Sequence, residues 1–456
     1  MKKINYLFFA YLIFGLSFSL FAQNEKKENT KTHLETYISE GLSQNESLKG
    51  QQFVLEKNIL ALKEAKTLFY PNVSFNTNYF LAGGGRTVDF PIGDILNPVY
   101  STLNQLTQSQ NFPQLENQSI LLNPNNFYDT RFRVSAPLLN AEIAYNKKIK
   151  EAQIPLQQIE IQLYKRELVK EIKIAYFNYL KTQKAIEIYE TALELVKENQ
   201  RVNTSLFKNG KINRAAVVRS DNEVTKFQSR IEVARQEGNS AKAYFNFLLN
   251  KEATSEILID KLELPTQSIL ENTSTAEREE LQKLAQAKVI NEQVVGLSKA
   301  YIIPQIGAFL DLGSQGFDFK VNDKTAYYFF GLSLQWNIFS AGKNKYKVQQ
   351  SQLENQILDS KTNYVKDQLD LQLITSINSY YASLANYKSL QQQEQASNIY
   401  YSDIQKLYGE GQALFIEVLD AQNQLVMARL ESTISLFDTW IKATEIERAT
   451  ASFDLN

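Results

Sequence analysis

Two stretches of 65 residues, Ala141 to Ser205 and Lys343 to Leu407, contain no glycine and carry apolar residues in steps of three and four. In the first these are Ile149, Ala152, Leu156, Ile159 and Leu163; in the second, Ile374, Ile377, Tyr381 and Leu384. Such spacing marks a helical seam of coiled-coil type. At about 1.5 Å per residue each run would extend roughly 100 Å, longer than any compact domain needs. Pro155 interrupts the first run, and an interior proline costs a helix about 3 kcal/mol or kinks it. A bend is expected there, or a helix whose regular part begins near it. The other faces are rich in Gln, Asn, Ser and Lys, as a water-lined wall would be. Shorter helical stretches are expected over about Leu34–Phe69, Asn213–Leu249, Thr275–Ala300 and Leu414–Ser452.

Four other segments change the period to two. Val73, Phe75, Thr77, Tyr79 and Leu81 alternate with Ser74, Asn76, Asn78 and Phe80; Thr130, Phe132, Val134, Ala136 and Leu138 alternate with Asp129, Arg131, Arg133 and Ser135. Ile306, Ala308, Leu310 and Leu312 alternate with Gln305, Gly307, Phe309 and Asp311, and Tyr328, Phe330, Leu332, Leu334, Trp336 and Ile338 with Gly331, Ser333, Gln335 and Asn337. Alternation over about 10 residues fits a transmembrane β-strand, and equally a soluble sheet with one wet face. In the membrane reading the register follows from energy. Turning Arg131 and Arg133 into lipid would cost roughly 2–4 kcal/mol each near the midplane, so Asp129, Arg131, Arg133 and Asp311 are assigned to a lumen.

The N-terminus bears on compartment. Lys2 and Lys3, an apolar run from Tyr6 to Phe21, and Ala22 before a polar stretch have the layout of a secretory signal peptide over residues 1–22. An uncleaved membrane anchor is the other reading of an apolar run this long. No other 20-residue apolar run exists in the chain, so any further membrane insertion falls to strands.

Composition closes several chemistries. The 456 residues contain no cysteine and one histidine, so a thiolate zinc site, a thiol nucleophile and a multi-histidine metal site are excluded. A charge-relay triad would have to use His33, near the N-terminus. Lys and Arg total 49 against 50 Asp and Glu, a balance that disfavours nucleic-acid coating. Gly83-Gly84-Gly85-Arg86 lacks the Gly-Lys-Ser/Thr of a phosphate loop and reads as a flexible surface loop. Trp440 reads as packed in a helix seam. No enzyme and no cofactor are expected.

The chain is a duplication. Phe69-Tyr70-Pro71-Asn72-Val73 matches Ile302-Ile303-Pro304-Gln305-Ile306; Ser135-Ala136-Pro137-Leu138-Leu139-Asn140 matches Gln335-Trp336-Asn337-Ile338-Phe339-Ser340; Phe207-Lys208-Asn209-Gly210 matches Tyr408-Gly409-Glu410-Gly411. The first repeat spans 23–250, with strands about 72–82 and 127–138 and the long helix about 141–205. Residues 251–275, containing the strand-like Ile257-Leu258-Ile259, connect it to the second repeat, 276–456, with strands about 305–312 and 326–338 and the long helix about 343–407. The strand connections differ most, 83–126 in the first repeat against 313–325 in the second.

Half-repeats in this order, each with a proline before its first strand, resemble those of TolC-like outer-membrane efflux proteins. The nearest motif is Tyr408-x-x-Gly411, five residues, then Glu417-Val418-Leu419-Asp420-Ala421, similar to that family's periplasmic tip. The resemblance covers nearly the whole chain beyond the leader. It implies a mixed α/β membrane protein whose trimer forms a 12-stranded β-barrel, four strands per chain, continuous with a periplasmic helical tunnel. Four strands cannot close a barrel of the usual eight or more, which independently requires several chains. It further implies an exit duct for efflux or type I secretion, with a periplasmic adaptor, an inner-membrane transporter and outer-membrane lipid as partners, docking near Gly210 and Gly411. A poreless periplasmic coiled-coil scaffold and a passive porin are the alternatives.

By the resemblance, Glu417 and Asp420 constrict the entrance. Three apart on a helix, they share a face, and in threefold symmetry they would form two acidic rings. Like charges about 8 Å apart repel by roughly 2 kcal/mol at an effective dielectric near 20, so such rings favour cations and resist closing. An exposed, solvated acidic pair is the plainer alternative. The first repeat departs from the family pattern, with Ala216 where an acid is frequent, and Ala413 takes a basic latch position in the second. Arg214 and Arg219 place positive charge there instead. One of them is expected to pair with Glu417 or Asp420 on a neighbouring helix, with Tyr408 beside this gate.

Overall fold

The computed structural model describes residues 32–123, 125–260, 264–265 and 274–455. The expected leader, 1–22, lies outside them, as does much of the connector's second half. The described residues form two compact units. A helical unit takes residues up to 49 with 162–276 and 368–456; a sheet unit takes 50–161 and 277–367.

The helices are α1 (His33–Gln44), α2 (Glu46–Thr67), α3 (Ile92–Thr107), α4 (Ala141–Lys208), α5 (Arg214–Leu248), α6 (Glu279–Lys299), α7 (Lys343–Gly409) and α8 (Phe415–Thr450). The strands are β1 (Asn72–Phe80), β2 (Thr87–Phe90), β3 (Gln118–Leu121), β4 (Phe127–Leu139), β5 (Gln305–Phe317) and β6 (Ala326–Gln335). The long helices α4 and α7 have 68 and 67 residues, about 100 Å each at the usual rise. Each contributes to both units. α4 runs unbroken through Pro155, so its regular part does not begin near that residue.

The helical unit packs around the middle of α4. Ile172, Tyr176, Phe177 and Leu180 are buried against Tyr37 and Ile38 of α1, Phe245 and Leu248 of α5, and Phe437 of α8. Burying each such side chain contributes roughly 1.5–3 kcal/mol. Trp440 lies half-buried beside this core, its ring 5.5 Å from that of Phe177.

Four local expectations change. The stretch Leu34–Phe69 is two helices broken at Asn45. The Asn45 Oδ1 accepts from Leu48 N–H and Tyr164 Oη, and its Nδ2 donates to the Leu248 carbonyl. A tertiary anchor thus converts a helical position into a cap. Ile257-Leu258-Ile259 is not a strand. The Leu258 N–H donates to Tyr37 Oη at 2.7 Å, and the Asp260 carboxylate accepts the N–H groups of His33 and Leu34 at 2.9 Å each. The connector is therefore tied to side chains and a helix N-terminus rather than to another strand. The stretch 83–126 is not simply a loop, since it holds α3 and a two-stranded ribbon of β2 and β3. Strand ends also move: β5 continues to Phe317, and β6 stops at Gln335, short of Trp336 and Ile338.

In the sheet unit the strands run β1-β4-β5-β6, all neighbours antiparallel. The register places Val73 beside Val134 and Leu310, and Phe75 beside Phe132 and Leu312. Leu310 and Leu312 continue the face to Phe330 and Tyr328. That face is open, with Phe330 63 % and Leu332 66 % exposed, whereas Asp311 on the opposite face is 3 % exposed. A soluble sheet buries its apolar face; this one turns it outward. Among the described residues no helix is long and apolar enough to cross a membrane.

Candidate functional site

Two regions carry the sequence-predicted residues, one in each unit. In the helical unit, α4 and α7 end in the same way. Gly210 (φ 69) and Gly411 (φ 77) take the left-handed conformation that side-chain-bearing residues disfavour. Gly210 N–H bonds Phe207 O and Lys211 N–H bonds Leu206 O, both at 2.9 Å; Gly411 N–H bonds Tyr408 O at 3.0 Å and Gln412 N–H bonds Leu407 O at 2.8 Å. These are paired Schellman caps.

The following helices begin differently. Asn213 caps α5 by accepting from the Ala216 N–H at 3.2 Å. In the second repeat Leu414 has no acceptor, and the Glu417 carboxylate instead accepts the Leu414 N–H at 2.7 Å. Glu417 is thus an exposed acid already engaged at a helix N-terminus, where negative charge is favourable. Asp420 is exposed and accepts from Gln424 Nε2 at 2.8 Å. Arg214 and Arg219 are exposed too. Among the described residues no ion pair joins either arginine to Glu417 or Asp420 within one chain.

Tyr408 is partly buried, and burial pushes its phenol pKa up, keeping it a donor. Its Oη donates to Asn203 Oδ1 at 2.5 Å, and its ring lies 5.9 Å from that of Phe415. Asn203 is fully buried and also donates Nδ2 to Ser220 Oγ at 3.0 Å, joining α4, α5 and α7. One turn earlier Asn199 Nδ2 donates to buried Gln422 Oε1 at 3.0 Å. Sequence reasoning missed these four polar residues. A signal was present, because Asn199 and Asn203 continue the buried stripe of Ala192 and Val196 in steps of four and three.

In the sheet unit, Asp129, Arg131, Arg133 and Asp311 come together on one face. Arg133 Nε and Nη2 donate to the two Asp311 oxygens, each at 2.6 Å. Arg131 Nη1 donates to Asp129 Oδ2 at 2.6 Å, and its Nε lies 3.9 Å from Asp311. Tyr327, which sequence reasoning missed, donates to Asp129 Oδ1 at 2.9 Å. Gly313 opposes Arg131 in the register, and a Cβ there would stand 2.8 Å from the Arg131 Cβ and 2.6 Å from the Thr130 carbonyl. Glycine therefore lets the charged layer pack against its neighbour strand. Arg133 also lies over the Phe309 ring at 5.1 Å, a cation–π contact. The two cations and two anions balance. Among the described residues no group of His, Asp and Glu is arranged to hold a metal.

Residues 271–433 match the family described as outer membrane efflux protein. That span contains β5, β6, α7, Gly411, Glu417 and Asp420. No curated protein matches the sequence. The fold is similar to three solved channels. CusC shares 14% identity with a TM-score of 0.72, over 92% of this chain and 92% of that one. VceC from Vibrio cholerae shares 13% identity with a TM-score of 0.71, over 91% and 95%. CmeC of Campylobacter jejuni shares 12% identity with a TM-score of 0.70, over 92% and 85%. The chain therefore has the fold of TolC-like outer-membrane channels along nearly its whole length, and its residues 271–433 match the outer membrane efflux protein family.

Proposed function

We propose that this chain is the outer-membrane exit duct of a tripartite efflux or type I secretion system. Three copies pair β1 of one chain with β6 of the next, closing a 12-stranded barrel continuous with a periplasmic helical tunnel. The observation that carries this reading is the inverted sheet. Its apolar face, with Phe75, Phe132, Leu312, Phe330 and Leu332, is exposed, while its charged face is internally paired. Lipid covers the first face, and water in a lumen suits Asp129, Arg131, Arg133 and Asp311 on the second. Among the described residues β1 and β6 have unpaired outer edges, and unsatisfied backbone groups in hydrocarbon cost several kcal/mol each, so closure by further copies is required.

Gating is assigned to the paired turns. Glu417 and Asp420, repeated three times, form acidic rings that favour cations. Arg214 or Arg219 of a neighbouring protomer supplies the opposite charge, since neither meets those acids within its own chain. A periplasmic adaptor and an inner-membrane transporter dock near Gly210 and Gly411, and the transporter supplies the energy. The test is negative-stain electron microscopy of the detergent-extracted protein. Threefold end views with a shaft of roughly 100 Å are expected; compact particles, or thin rods without a ring, would remove the duct assignment.

A further inference from the structure

The segment between β1 and β4 has a structured inner side. In α3, Asn97 Oδ1 accepts the Leu115 N–H at 2.7 Å while its Nδ2 donates to the Leu115 carbonyl at 3.0 Å. Asn104 brackets Phe112 in the same way, at 3.1 and 2.8 Å. Asn117 holds the first turn through the Asp94 N–H and carboxylate, and the Tyr100 ring lies 5.7 Å from that of Phe112. A Cβ on Gly93 would stand 2.3 Å from the Leu115 carbonyl, so helix and strap are in tight contact. These bonds fix the rotation of α3 about its axis.

With that face occupied, α3 presents Ile95, Val99, Thr102 and Leu106 to the outside, Ile95 65 %, Val99 52 % and Leu106 76 % exposed. Their spacing of four, three and four residues is that of alternating core positions in a heptad seam, which seeks another helix of the same kind. We propose that this stripe packs against the same stripe of neighbouring copies, making a cluster of α3 helices where the strands' outer loops meet. The inference rests on the trimeric duct reading.

Three observations favour a second copy over a lipid surface. Around a threefold axis each stripe meets the same stripe of the next copy, so one apolar seam can serve as its own partner. Interfacial helices carry Lys and Arg opposite their apolar face, but α3 has none, and residues 83–126 hold one cation, Arg86, against Asp89, Asp94 and Glu116. The segment also leaves from β1, a sheet edge that has no partner strand among the described residues. A two-heptad seam is short for an isolated coiled coil, but tethering on a closed barrel raises the effective concentration to the millimolar range.

The chain has no cysteine, so a single introduced thiol reports its own neighbours. Val99→Cys and Leu106→Cys on the seam, and Ser101→Cys off it, are expressed as full-length protein in membranes and oxidised with copper phenanthroline. Roughly tenfold more disulfide-linked dimer is expected from the seam positions than from Ser101→Cys, because disulfide geometry is selective. Trimers without linkage at either seam position would overturn the cluster and leave the duct intact. Equal linkage at all three positions would overturn it as well, by showing a freely colliding segment. Chains that run as monomers would overturn both the cluster and the duct.

Discussion

Asn203 holds two hydrogen bonds at zero exposure, one from Tyr408 and one to Ser220, and no apolar side chain of its volume can replace them. Asn203→Leu leaves the Tyr408 hydroxyl and Ser220 without these bonds, and an unmade buried bond costs about 1–3 kcal/mol. Tyr408→Phe removes only one, so its loss in thermal stability should be the smaller; equal losses would mean Asn203 does not couple the three helices. Charge at the turns is a separate matter. Arg219→Glu should raise the conductance of the resting pore in planar bilayers, by replacing attraction to the proposed acidic rings with repulsion. Unchanged conductance in both Arg219 and Arg214 variants would remove the proposed latch. The tip motif was legible because Gly210 and Gly411 punctuate long runs without glycine. Asn203 was not, because an asparagine inside a helical stripe looks the same whether it faces water or a buried tyrosine.

Among elements, the junction of α4 with α8 shows how half-buried charge tunes a helix pair. Burial pushes the Glu167 carboxyl up, but hydrogen bonds and charge from Lys170 and Arg448 outweigh it and hold it below the ordinary carboxylate value. A lowered carboxyl stabilises the fold above its unfolded value near 4.5, and that contribution is lost as pH falls below it. Glu171 behaves oppositely, raised by burial first and by the Glu167 charge second. Glu167→Gln should therefore lower the melting temperature at pH 7 and flatten its decline below about pH 4.5, by no more than about 1 kcal/mol because the pair is partly exposed. A mutant curve parallel to wild type down to pH 3 would count against this account. Element type followed from periodicity for α4, α7 and all four long strands. The far ends of β5 and β6 did not. Gly313, Ser314 and Gly316 are weak strand formers, yet β5 continues through them because β4 supplies a paired partner as far as Phe127. Helix α3 escaped notice although Ile95, Val99 and Leu106 fall at helical spacing, because Pro91 at its start and Pro98 inside it read as loop signals.

At the scale of the whole molecule, the sheet's two faces are more informative than any motif. Alternation in the sequence allowed either a soluble or a lipid-facing sheet, and it is the exposure of Phe330 and Leu332 beside a shielded Asp311 that favours the second. Duplication was legible from the proline-led strands and twinned glycine turns; the break at Asn45 was not, since it depends on a carbonyl 203 residues away.

The unpaired edges at β1 and β6 carry a genetic consequence. In the proposed threefold ring every chain is needed twice, once at each edge, so one chain with a broken edge spoils the two sound ones beside it. A cell making equal amounts of normal and edge-defective chains would assemble intact rings only about one time in eight, by random mixing in a closed trimer. Such an allele would be dominant, whereas one that merely prevents synthesis would leave half the chains free to form wholly normal rings.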